Sequence, residues 1–304
     1  MPARRSALLS AVLLVLALAG CAPGSSPGSS SYANPSAGSS ASPSGAPSPS
    51  PATAVLILRV TTEGGFVGPA ANLNAIPPVS VYGDGRIMTP GAVDAIYPAP
   101  LLPVVAVRNV GAAGAAAIVA AIRNAGLDKP ITALPGTPGD FGTTIFAVNV
   151  DGTVVTNRLV IGGGLPGRPG VESPDPVTAP AADLLARLED PNETWGASSA
   201  PSTVLQPLGY RIFVAPGAPA SDGTLSPQPA VAWPLATPLD QFGSAANPDR
   251  GIPGLRQGAV FGHDAGTLGP VLAAVSSQTP FMSAGMLYTL YARPLLPDEV
   301  PTQG

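Results

Sequence analysis

TTIFAVNVDGTVVTNRLVI, residues 143–161, is the stretch that decides the fold. Two runs rich in β-branched and aromatic residues flank Asp151-Gly152. That dipeptide supplies what a two-residue hairpin turn with positive φ at both central positions requires. The reading is a β-hairpin, with Ile145–Val150 and Thr153–Ile161 expected at the centre of a sheet. Val79–Met88 (VSVYGDGRIM) carries the same signal around Asp84-Gly85, and the two turns are expected to behave alike. Ala54–Thr62 (AVLILRVTT), Tyr210–Ala215 and Met286–Arg293 (MLYTLYAR) read as further strands.

Helices are fewer. Asn109 is placed to cap Gly111–Ala125, an Ala-rich stretch with Ile118 and Ile122 on one face and Gly126 after its end. Thr178 and Pro180 open a second helix through Leu184, Leu185 and Leu188, which Pro191 stops. Asp264 is expected to cap a third, in which Leu268, Val271, Leu272 and Val275 follow helical spacing; Pro270 is compatible only with its first turn. Strands arranged as hairpins, with about three helices and no strict β-α-β alternation, predict an α+β fold with antiparallel sheets. There is room for two subdomains divided near residues 195–205.

The N-terminus supplies an address. Arg4 and Arg5 precede an apolar stretch, Ala7–Gly20, that is shorter than the ~20 residues of a membrane-spanning helix. It ends in Leu18-Ala19-Gly20-Cys21, and Cys21 is the only cysteine of the chain. This resembles the lipobox of bacterial lipoprotein precursors. The resemblance implies a signal peptide over 1–20, acylation (palmitate) of the Cys21 thiol, and a lipid anchor at the extracytoplasmic face of the cell membrane. Two or three acyl chains hold where one is marginal. Residues 22–53 contain 12 Ser, 7 Pro and 4 Gly, with no charge between Arg5 and Arg59. Such a composition cannot offset its chain entropy by burying apolar surface, so 21–53 is expected to be a disordered tether, and 54–304 the globular part.

Composition excludes several functions. The formal net charge is -4, and Lys129 is the only lysine among 14 basic residues. A nucleic-acid binder working through a basic face is therefore not expected. One Cys and one His leave no zinc site, iron–sulfur cluster or disulfide framework, and no cofactor is expected. His263 is the only imidazole, but G-x-S-x-G is absent and Asp264 is better placed to cap a helix than to orient its neighbour. Asp84, Asp151 and Asp222 each precede a Gly, as turn residues do. Glu189, Asp190 and Glu193 crowd the end of the second helix and are expected to face solvent. Asn149-Val-Asp151-Gly152 holds only a fragment of a calcium loop. Gly162-Gly-Gly-Leu-Pro-Gly167 lacks the lysine and the helix of a phosphate cradle. Asn192-Glu-Thr194 matches a glycosylation sequon that means little behind a bacterial lipobox. Trp195, Trp233, Tyr288 and Tyr291 are expected in the core rather than on a ligand surface. No catalytic, cofactor or metal residue is assigned, and Cys21 is the one site residue.

Val81-Tyr-Gly-Asp-Gly85, the helix ending Ala125-Gly126-Leu127, and the terminal Arg293-Pro-Leu-Leu-Pro-Asp-Glu299 together resemble an uncharacterised group of secreted or lipid-anchored proteins of high-GC Gram-positive bacteria. That resemblance spans about 54–299 and implies location and fold unity, without an activity. The expectation is a non-enzymatic cell-envelope lipoprotein, a binding or scaffolding module whose partner is an envelope protein or a glycan. The alternative is a glycosidase-like envelope hydrolase using a pair of carboxylates, which would require two acids converging in a deep cleft.

Overall fold

The hairpin over 143–161 forms as its sequence directs. Strands β5 (Thr143–Val150) and β6 (Thr153–Leu159) pair antiparallel from Thr144↔Leu159 to Val150↔Thr153. Asp151 and Gly152 sit at φ 53° and 76°, the conformation of a two-residue primed turn. The computed structural model describes residues 55–64, 68–132, 142–161, 177–196, 201–220, 223 and 226–301. The stretches expected to be a signal peptide and a tether, with Cys21, and also Gly162–Gly167 and Asp222, lie outside the described residues.

The described elements make an α+β fold of two largely antiparallel sheets and three α-helices. The first sheet has seven strands in the order β6-β5-β1-β2-β3-β4-β7, with β1 Leu56–Glu63, β2 Val79–Tyr82, β3 Arg86–Pro90, β4 Val105–Asn109 and β7 Thr203–Val204. Contrary to the expected central position of both hairpin strands, β6 is an edge. Among the described residues no strand lies beyond it, and Val154 is 71% exposed. The second sheet has six strands, β10-β11-β8-β13-β12-β9, with β8 Gly209–Pro216, β9 Val231–Ala232, β10 Ser244–Ala245, β11 Arg256–Phe261, β12 Phe281–Ser283 and β13 Met286–Pro294. Among the described residues only the β9–β12 pair is parallel. The chain passes from one sheet to the other between β7 and β8, and the described residues of both sheets belong to one compact unit.

Each sheet is covered by helix on one face. Leu58, Val60, Val81, Phe146 and Val148 pack with Ile118 and Ile122 of α1 (Gly111–Asn124) and with Leu184 and Leu188 of α2 (Ala179–Glu189). Ile212, Val214, Val260 and Leu290 pack with Leu268 and Leu272 of α3 (Gly262–Ala273). Burying a side chain of this size contributes roughly 1.5–3 kcal/mol, so these two layers are the main source of stability.

The helix ends show where side chains and backbone divide the work. The α1 cap position is Val110, and Asn109 Oδ1 instead accepts from the Gly111 N–H at 2.8 Å. At the other end Gly126 is left-handed (φ 69°), with Leu127 N–H bonded to Ile122 O and Gly126 N–H to Arg123 O, a Schellman closure. Asp264 does not cap α3. The helix starts at Gly262, directly off β11, which puts Asp264 inside the first turn and Pro270 in the helix interior rather than in the first turn. The residue whose carbonyl the Pro270 ring would crowd is Gly266, which carries no side chain of its own.

Candidate functional site

Alternation along β1 sends Leu58 and Val60 to the helices and Arg59, Thr61 and Glu63 to the opposite face. Alternation along β8 does the same: Ile212 and Val214 meet α3, while Arg211 and Phe213 point the other way. These helix-free faces of the two sheets share a cleft of about 770 Å³. Gln257 of β11 and Arg293 of β13 extend the wall on the β8 side, and the segment 72–78 closes the cleft with Asn72 and Pro77-Pro78. Arg250, from the short 3-10 turn Pro248–Arg250, lies over the Phe213 ring with Cζ 5.3 Å from its centroid.

At one end of the cleft the C-terminal segment ties the two sheets together. Arg59 Nη2 donates to Asp298 Oδ1 (2.7 Å), and the Tyr82 hydroxyl donates to the same oxygen (2.7 Å). Arg293 grips Glu299 bidentately, Nη1 to Oε2 and Nη2 to Oε1, both at 2.7 Å. Glu299 Oε2 also accepts the Leu296 N–H at 3.0 Å. Leu296 is buried against Tyr82, Met88 and Val105 on the first sheet, whereas Leu295 N–H bonds to Gly209 O of the second. Tyr82 belongs to the YGDG motif and Arg293, Asp298 and Glu299 to the RPLLPDE motif, so two stretches more than 200 residues apart meet in one network.

The clasp fixes charge states. Burial alone would raise the Glu299 carboxyl, but the hydrogen bonds and charge of Arg293, the Leu296 N–H and the charge of Arg59 outweigh it and hold Glu299 below the ordinary carboxylate value. Burial alone would lower Arg59, and the hydrogen bond and charge of Asp298 override it and keep the guanidinium firmly protonated. Burial together with the bond to Asp298 pushes the Tyr82 phenol far up, so it stays protonated; it donates to Asp298 and accepts from Arg59 Nη2 at 3.3 Å. Glu63, the remaining acid of the cleft, pairs with Arg158 at 2.6 Å on the exposed side.

The residues singled out in the sequence are scattered. His263 and Asp264 are exposed at the start of α3, away from the cleft. Trp195, Trp233 and Tyr288 are buried, and Tyr291 packs beside Phe213. Asp151 is a hairpin-turn residue, and Asp84 accepts from the Arg86 N–H and pairs with Arg86 Nε. The α2-end acids are not a uniformly solvated group. Glu193 is half-buried, pairs with Arg187 (3.0 Å) and accepts the Trp195 N–H (2.9 Å), because the chain after α2 folds back under Arg108. Among the described residues no cluster of His, Cys, Asp and Glu could hold a metal ion. Sequence reading missed the arginine-lined cleft altogether. The available signal was charged residues at alternate positions of apolar strands: Arg59 in LILRVTTE, Arg211 in GYRIFVAP and Arg293 in MLYTLYARP. The chain matches no family model, no curated protein and no solved structure.

Proposed function

We propose that this protein is a lipid-anchored, extracytoplasmic module of the cell envelope that binds a ligand in the cleft between its two sheets without transforming it. The observation that carries the reading is the pairing of the cleft acids: Asp298 with Arg59, Glu299 with Arg293, and Glu63 with Arg158. A carboxylate-pair hydrolase needs one acid kept protonated near neutral pH to serve the leaving group. Glu299 is held the other way, below its ordinary value. What the cleft offers instead is guanidinium, amide and hydroxyl donors around a preformed space of ligand size.

The anchor and the cleft are tested separately. Cys21→Ala is expected to leave the chain unprocessed or release it from the membrane fraction; unchanged partition into detergent overturns the lipoprotein reading. A photo-crosslinking residue at Thr62 or Asn72, on the cleft wall, is expected to trap an adduct in intact cells. The same residue at Ala186, on the exposed side of α2, is expected to trap none. Equal labelling at both places, or none at either, overturns the binding reading.

A further inference from the structure

The cleft carries more positive charge than its own acids neutralise. Its lining holds Arg59, Arg211, Arg250 and Arg293 against Glu63 and Glu299, which is four cations to two anions, a surplus of two. The whole chain has a net charge of -4, so this is a local reversal of sign. The pairings identify which cations are left over. Arg59 and Arg293 each have a carboxylate oxygen within 2.7 Å. Arg211 does not: its nearest carboxylate, Glu299 Oε1, is 3.8 Å away and already accepts from Arg293, and Arg211 Nε is buried without any acceptor. Arg250 makes no ion pair among the described residues and rests on the Phe213 ring.

Arg211, whose one ion pair is the long contact to a Glu299 oxygen already held by Arg293, and Arg250 share one stretch of wall. Arg211 and Phe213 are i and i+2 on the cleft face of β8, about 7 Å apart along the strand, and Arg250 covers Phe213. A guanidinium presents a planar fork that matches carboxylate and phosphate oxygens, and such charge-assisted pairs are stronger than neutral hydrogen bonds. Asn72, Thr61 and Gln257 add neutral hydrogen-bonding groups around them, and the space is that of a small ligand rather than of a single ion.

We infer that the cleft takes a small polar ligand bearing an oxyanion, a carboxylate or a phosphate, seated between Arg211 and Arg250. The inference rests on the cleft being the binding site, and it adds the chemical class of the ligand. Calorimetric titration of the full chain in detergent uses three probes: tri-galacturonate for the carboxylate, inorganic phosphate for the phosphate, and uncharged galactotriose. At least one anionic probe is expected to bind, and its affinity to fall as sodium chloride rises from about 50 mM to about 500 mM. Arg211→Gln and Arg250→Gln are each expected to weaken it roughly tenfold or more, and Arg211→Lys less. Arg250 is exposed, so its variant keeps the fold, and the thermal midpoint of each variant without ligand serves as the control. Binding of neither anion overturns the proposal, as does binding that both Gln variants retain in full. Binding of galactotriose alone also overturns it while leaving the cleft as the binding site; failure of the crosslinking contrast would remove the site itself.

Discussion

At the residue scale, the two Asp-Gly turns do different things. Gly152 at φ 76° has open space where a Cβ would be, so a side chain there meets only the left-handed penalty. Gly152→Val is expected to cost about 1–2 kcal/mol. Gly85 at φ 88° carries the same penalty, but an added Cβ would also run into the Gly111 backbone, 2.6 Å from its nitrogen. The loop itself has three residues, Gly83–Gly85, closed by the Gly85 N–H on Tyr82 O, and its Gly85 carbonyl accepts the Val110 N–H. It is therefore a docking point for the start of α1, and Gly85→Val is expected to cost roughly 3 kcal/mol or more, since backbone cannot yield as a side-chain tip does. Urea midpoints of the two variants against wild type check this; equal losses would show that the contact with Gly111 has no weight. The two dipeptides look identical in sequence because what separates them is a partner 26 positions downstream. Local turn chemistry was readable at both sites, and the long-range approach at neither.

At the scale of elements, α2 depends on a residue from the first sheet. Arg108 of β4 is buried, and its guanidinium donates to Asp190 O (2.7 Å), Glu193 O (2.6 Å) and Leu188 O (3.1 Å). These are carbonyls at and just beyond the helix end, which no turn of helix satisfies and which a cation suits. Burial lowers the Arg108 pKa, and the charges of Asp190 and Glu193 counter that. Arg108→Ala strands three acceptors at once and is expected to destabilise by about 3 kcal/mol. Amide exchange of Leu185–Glu189 should accelerate more than that of α1; uniform acceleration across the domain would count against a local capping role. The helix was legible from Pro180, the leucine spacing and Pro191. The cap was not, because it comes from 80 positions upstream. A similar gap hid the β12–β13 hairpin: its turn, Ala284-Gly285, has φ 50° and 79°, yet Ala284 is no turn residue by type. The strand Met286–Arg293 is legible from its β-rich composition, and it runs one residue further, to Pro294, while its partner Phe281–Ser283 is not legible.

At the scale of the whole molecule, the C-terminal clasp joins the sheets, and its acid component sets how stability answers to pH. Glu299 is 13% exposed and Arg293 10%, so this bidentate pair is shielded far more than the surface pair Glu63–Arg158. Glu299 titrates below its ordinary value in the folded chain, so folding favours the ionised form. A depressed carboxyl contributes stability that is complete above the unfolded value of about 4.3 and is lost as pH falls through the lower folded value. Wild type should therefore weaken on the acid side of about pH 4, with no matching change from this group at alkaline pH. Glu299→Gln leaves the Arg293 guanidinium buried without its anion and is expected to cost roughly 3 kcal/mol at neutral pH. The difference between variant and wild type should narrow as the wild-type carboxyl protonates, and urea midpoints measured from about pH 3 to pH 7 follow it. A gap that stays constant over that range would mean that Glu299 acts by shape and packing, and that the charge of the clasp does not hold the two sheets.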